Sequence, residues 1–170
     1  TINIEFQDAA ELALKKKLYE TNAKWGCVVL MEVETGDIKA IANLHKGKDF
    51  TYYDSKNHAI VSEIAPGSTF KLASYMSILE DKILDVTDTV KTGRGKIKFY
   101  TTTISDTRKG GYGDLTFGDA FVVSSNVAIS KVINDTYKNN PEQFISNLKK
   151  FGLTEPLKLQ LPYKSEMIMR

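Results

Sequence analysis

Cysteine is almost missing. Cys27 is the single one among 170 residues, so no disulfide can close within the chain. Its setting, Gly26-Cys27-Val28-Val29-Leu30-Met31, reads as a buried strand with the thiol packed as a small hydrophobe. Histidine is scarce as well. His45 and His58 stand in no ligand spacing with Cys, Asp or Glu, so neither a metal site nor a cofactor is expected. A charge of one sign is lacking: 23 basic residues meet 21 acidic ones, for a net charge of +2. So small an excess gives no case for a nucleic-acid partner. No apolar run approaches the roughly 20 residues of a membrane helix, and no signal peptide opens the chain at Thr1. Repeats and low-complexity linkers are absent. What remains is 42% hydrophobic and 26% charged residues, ordinary globular usage that excludes a disordered segment. A chain of this length can bury a real core.

Along the chain, Thr1 to Glu5 alternates like a short strand, and Gln7 to about Thr21 reads as a helix with Ala10, Leu14 and Leu18 on one face. Trp25 to Glu34 and Ile38 to Asn43 read as a β-hairpin turning at Thr35-Gly36. Residues 45 to 58 read as an exposed loop. A helix is expected to start at Ser68 after the breaker Pro66-Gly67, with Leu72, Tyr75, Met76 and Leu79 as its apolar face. Residues 85 to 115 read as loops with short strands. Thr116 with Asp119 can cap a short helix, which runs into Ser124-Ser125-Asn126, and Val127 to about Tyr137 reads as another. Asn140-Pro141 opens a last helix with Phe144, Ile145, Leu148 and Phe151 on one side and Gly152 as its stop. Beyond Leu153 the pattern weakens at Pro156 and Pro162. The fold class is α+β, richer in helix than in strand.

The informative string is Pro66-Gly67-Ser68-Thr69-Phe70-Lys71. A serine hydroxyl is a poor nucleophile at neutral pH and needs a neighbouring base. Residues three apart on a helix share a face, so Lys71 can meet Ser68. A lysine acts as a base only if burial or positive charge lowers its pKa from about 10.4. The amides of the first helical turn can hold charge developing on an attacked carbonyl. A second Ser-x-x-Lys, Ser146 and Lys149, lies inside an amphipathic helix and reads as a solvated face. Ser124-Ser125-Asn126 falls between two helices, where a hydroxyl could relay a proton and an amide could hold a substrate amide. The similar triplet Ser55-Lys56-Asn57 sits in a polar loop and reads as coincidence.

The strings Gln7-Asp8-Ala9-Ala10-Glu11, Asn57-His58-Ala59, Pro66 to Lys71 and Ser124 to Val127 come in an order and spacing that resembles the transpeptidase domain of class B penicillin-binding proteins, most like the cell-division type. The Ser-x-x-Lys grouping with two later motifs is a known mark of that family. The resemblance implies a helix-rich part of the penicillin-binding transpeptidase and serine β-lactamase-like fold, with an N-terminal hairpin and an incomplete antiparallel sheet. It implies that Ser68 is the serine acylated by a peptidoglycan D-Ala-D-Ala stem peptide or by a β-lactam. Lys71 is then its base, and Ser124 and Asn126 form the second motif. The implied reaction is D,D-transpeptidation in the bacterial cell envelope, in the periplasm, by a protein anchored in the inner membrane and working with division or elongation proteins.

Departures from the family pattern qualify this. The third motif, Lys-Thr-Gly, belongs after the second, whereas Lys91-Thr92-Gly93 precedes Ser124 and reads as a turn leading into Lys96-Ile97-Lys98-Phe99. Ala65 stands where many relatives have glutamate. The expectation is therefore that residues 1–170 form a partial transpeptidase domain, its N-terminal and helical portion, poorly active alone and with an open sheet edge that invites self-association. A non-catalytic β-lactam sensor and a serine β-lactamase are the alternatives, and the sequence offers no convincing deacylation base for the latter.

Overall fold

In the computed structural model, which describes residues 1–54, 56–62 and 64–156, helix α1 spans Ile4–Thr21. The opening residues are not the strand their alternation suggests. Asn3 caps α1 by accepting from Phe6 N at 3.1 Å, and its own amide donates to Lys39 O at 2.8 Å. The residues from Ile4 on thus gain the helical ladder, and α1 carries the expected apolar face with Leu14 and Leu18 buried.

Strands β1 (Trp25–Met31) and β2 (Ile38–Lys46) form the expected hairpin, antiparallel with Val28 opposite Ala42. Gly36, at φ 72°, makes the turn. The supposed loop after β2 contains a third strand, β3 (Tyr52–Asp54), paired to the end of β2. Three residues are too few for a periodic signal. What holds β3 is burial of Tyr52, whose hydroxyl proton is shared between Leu18 O at 2.9 Å and Ala23 O at 2.6 Å. Leu14, Leu18, Ala42, Leu44 and Tyr52 make the core of this first unit. Along the rest of β2, the side-chain amide of Gln7 takes Ile41 N at 2.9 Å and donates to Ile41 O at 3.0 Å. Among the described residues β1 pairs only with β2. It is half-buried at best, not buried as its composition suggests, and Val29, Leu30 and Met31 are exposed. A short helix α2 (His58–Val61) follows, and His58 is buried in a stack on Trp25, ring centres 4.0 Å apart.

Ala65–Glu155 forms a second unit. Gly67, at φ 60°, turns the chain into a single 3-10 turn, Gly67–Phe70, and helix α3 follows over Lys71–Glu80. Its buried face is Ala73, Ser74, Tyr75, Ser77 and Ile78, while Leu72, Met76 and Leu79 are exposed. The expected face is therefore wrong except at Tyr75. The serines bury because their hydroxyls donate back along the helix, Ser77 to Ala73 O at 3.0 Å and Ser74 to Phe70 O at 3.4 Å.

Two ribbons follow, β4 (Thr89–Lys91) with β7 (Asp114–Thr116) and β5 (Lys96–Phe99) with β6 (Thr102–Ser105). They are joined by a backbone crossing at Gly95 and Gly111. A Cβ on Gly111 would lie 2.1 Å from Gly95 N, so no side chain fits there. Helix α4 (Phe117–Val122) is capped by Thr116, which accepts from Asp119 N at 3.0 Å. Helix α5 spans Asn126–Tyr137 and α6 spans Pro141–Lys150, the latter ending at Gly152 with φ 75°. Ser146 and Lys149 on α6 are both exposed. Phe117, Ile78, Ala120, Val90, Ala128 and Val132 centre the core. Ser55 and the weakening pattern beyond Pro156 lie outside the described residues.

Candidate active site

Ser68 is the second residue of the 3-10 turn and Lys71 the first of α3. A 3-10 turn advances about 120° per residue, so positions three apart eclipse. The serine and lysine thereby share one side of the turn more closely than a plain α-helix would arrange. Ser68 is exposed, and among the described residues its hydroxyl takes no hydrogen bond. No bond joins it to Lys71 in this state.

Lys71 turns instead to the stretch between α4 and α5. Its Nζ donates to Ser124 O at 2.6 Å, to Ser124 Oγ at 2.9 Å and to Asn126 Oδ1 at 2.6 Å. Residues 53 and 55 positions apart in sequence thus meet at one amine. Burial holds the Lys71 pKa below the ordinary lysine value, against the opposing pull of the Asp106 charge. The four residues singled out in the sequence, Ser68, Lys71, Ser124 and Asn126, fall in the same unit, and Ser124 and Asn126 are each bonded to Lys71.

The chain between the helices adopts this shape at a cost. Ser124 has φ 53°, a left-handed conformation uncommon for a residue with a Cβ. Ser125 is the cap of α5 and accepts from Ala128 N at 3.0 Å. Asn126 is oriented from both ends, with Oδ1 on Lys71 and Nδ2 donating to Ser105 O at 2.9 Å. A flipped amide would set donor against donor. One N–H of Asn126 Nδ2 remains for a ligand.

Asp106 is the residue that sequence reasoning missed. It follows β6 directly, and its Oδ1 accepts from Ser125 Oγ at 2.9 Å and from Val127 N at 3.0 Å. Nothing around Ile104-Ser105-Asp106 signals this, because its partners lie 19 and 21 residues downstream.

Lys91 ends β4, and the chain turns from Thr92 to Gly95. Thr92 is buried, with its hydroxyl donating to Gly113 O at 2.7 Å, and Gly95 N closes on Thr92 O at 3.0 Å. A hollow of about 530 Å³ in the first unit, lined by residues such as Asp8, Glu11, Lys15 and Tyr53, includes none of the four site residues. His45 stacks 6.1 Å from His58, and no group of three or more His, Cys, Asp or Glu among the described residues could hold a metal. No described helix is long and apolar enough to cross a membrane.

A serine on a helix-opening turn, a lysine one turn on, and a Ser-x-Asn stretch gripping that lysine define an α+β fold of the penicillin-binding class. The family model described as the penicillin binding protein transpeptidase domain matches residues 26–169, and the chain belongs to that family. It is 29% identical over 166 residues, 95% of its length, to the peptidoglycan D,D-transpeptidase FtsI of Buchnera aphidicola, and it spans 28% of that relative. Its fold matches the D,D-transpeptidase domain of a peptidoglycan glycosyltransferase from Eggerthella lenta at TM-score 0.74 and 26% identity, covering 99% of this chain and 41% of that one. The transpeptidase domain of penicillin-binding protein 3 from Burkholderia pseudomallei shares the fold at TM-score 0.79 and 24% identity, with 95% of this chain and 44% of that one covered.

Proposed function

We propose that Ser68 is the nucleophile of a serine-type D,D-transpeptidase that cross-links peptidoglycan stem peptides in the bacterial cell envelope. The observation that carries this reading is the lysine held by Ser124 and Asn126, with its proton affinity lowered by burial. In the productive state neutral Lys71 takes the Ser68 hydroxyl proton as Oγ attacks the carbonyl carbon of the penultimate D-Ala. The tetrahedral intermediate collapses as its C–N bond breaks. The proton passes from Lys71, through the Ser124 hydroxyl, to the leaving D-Ala amine. An acyl-enzyme ester remains, which an amine from a neighbouring strand resolves. Asn126, with its spare amide N–H, holds the peptide beside the serine. A β-lactam enters the same first step: its ring C–N bond breaks as the ester to Ser68 forms, and the leaving amine stays tethered to the acyl group.

Within this reading the 170 residues correspond to the portion of a transpeptidase domain that carries the first two motifs. Its share of 28% of the Buchnera relative and 41% of the Eggerthella chain supports this. The division or elongation proteins that serve such enzymes are the expected partners of the whole protein. An anchor in the inner membrane, with the domain in the periplasm, is part of the same proposal.

The test is incubation of the full-length protein with a reporter penicillin followed by intact mass. The expected result is one adduct, lasting hours, on wild type and none on Ser68→Ala. Rapid turnover would assign a β-lactamase instead. An adduct that survives Ser68→Ala would remove Ser68 from the role.

A further inference from the structure

Ser124 and Asn126 face Lys71 only because the chain around them is held in an unfavourable shape, with Ser124 left-handed. A single group holds it from outside the helix pair. Asp106 Oδ1 accepts both the Ser125 hydroxyl and the Val127 amide, on either side of Asn126. Its neighbour Ser105 takes the Asn126 amide. Asp106 is itself fixed by its amide, which donates to Gly95 O at 2.9 Å, next to the Gly95–Gly111 crossing.

The second oxygen is the more telling. Asp106 Oδ2 is buried and has no hydrogen-bond partner among the described residues. A buried polar atom left unbonded costs free energy, and an amide or hydroxyl could accept the two bonds at Oδ1 equally well. What the carboxylate adds there is charge. That charge opposes the effect of burial on Lys71. The other charges on the helices packed against α3 are engaged elsewhere or exposed: on α5 Lys131 donates to Lys91 O and Asp135 accepts from Asn134, on α6 Lys150 pairs with Glu80 while Glu142 and Lys149 are exposed, and Asp81, just past α3, takes Tyr137, Gln143 and Asn147.

We propose that Asp106 is the positioning residue of this site. Its carboxylate holds residues 124–127 in the shape that presents three acceptors to Lys71, and it brings a negative charge into the same cluster. The inference rests on the reading of Lys71 as the base, and it concerns how that base is set rather than whether the chain is acylated.

Two substitutions separate the two roles. Asp106→Asn keeps an acceptor at Oδ1 and removes the charge, whereas Asp106→Ala removes both. Hydrogen exchange at Val127 N reads the bracing, and NMR titration of the Lys71 ε-methylene signal reads the charge. The expected result for Asp106→Asn is wild-type protection at Val127 with the Lys71 midpoint moved to lower pH. Asp106→Ala is expected to speed Val127 exchange by about tenfold or more, the loss of one charge-assisted bond. In pH profiles of penicillin acylation, the acid limb of Asp106→Asn moves down in step with the Lys71 midpoint, a change that bracing alone would not produce. An unmoved Lys71 midpoint in Asp106→Asn overturns the proposal, and so does unchanged Val127 protection in Asp106→Ala. If Asp106→Ala does not fold, the Asn variant decides alone. A full-length protein that takes no penicillin counts against the functional reading, while both NMR measurements still test Asp106.

Discussion

Lys71 as an ammonium has three N–H donors, and it meets three acceptors. The resting arrangement therefore suits the charged form. As a neutral amine it has two donors and a lone pair, so one contact must reverse. Of the three partners only Ser124 Oγ carries a proton to give. Ser124 is thus the residue through which the amine can be neutral without breaking the cluster. Because the amine must be neutral, acylation should rise with pH through the Lys71 midpoint, which burial places below the ordinary 10.5. Asn126→Asp sets a carboxylate where Oδ1 now accepts. An opposite charge favours the ammonium, so the acid limb should move to higher pH and the rate at neutral pH should fall. A pH–rate profile of penicillin acylation checks the sign. The placing of Ser68 and Lys71 three residues apart at a helix start was legible in the sequence, because a Pro-Gly breaker and that spacing are local facts. The role given to Asp106 was not legible, since it comes from a ribbon crossing whose partners are far along the chain.

Helix α3 shows where element-level reading fails. Apolar periodicity picks Leu72, Met76 and Leu79, yet the chain buries Ser74 and Ser77 beside Ile78. Hydroxyls that bond back to their own helix count as buried small residues, and a hydrophobicity pattern cannot foresee that. The opening 3-10 turn adds to the error, because it shifts the phase of everything that follows. The caps were legible for the opposite reason: Thr116 with Asp119, and Pro141 with Gly152, act within one turn of sequence. The assignment of faces makes a direct contrast. Ile78→Ala should destabilise the second unit by about 2–5 kcal/mol, whereas Leu72→Ala, at an exposed position, should change stability by about 0.5 kcal/mol or less. Urea denaturation followed by circular dichroism compares the two, and equal losses would contradict the burial pattern.

At the scale of the whole molecule the open side of β1 matters most. Asn3 and Gln7 occupy the backbone of β2 that β3 does not reach. β1 has no such cover among the described residues, and Val29, Leu30 and Met31 are exposed along it. Such an edge is a template for another strand. The chain should therefore self-associate as its concentration rises, and Val29→Lys should weaken this. Sedimentation velocity at several concentrations checks both, and a strictly monomeric wild type would rule the edge out as a contact. The hairpin itself was legible from two strand-forming runs around Thr35-Gly36. The third strand was not, because Tyr52 belongs to it through a tertiary contact.

The left-handed Ser124 has a consequence for how such a protein can be improved. Glycine adopts that conformation freely, so Ser124→Gly would relieve strain of about 1–2 kcal/mol. The same change deletes the hydroxyl that Lys71 bonds and that the proposed relay uses. A screen that rewarded heat tolerance alone would accept glycine at 124 and, on the proposed mechanism, select a sturdier but inert protein. At this position durability and chemistry pull against each other.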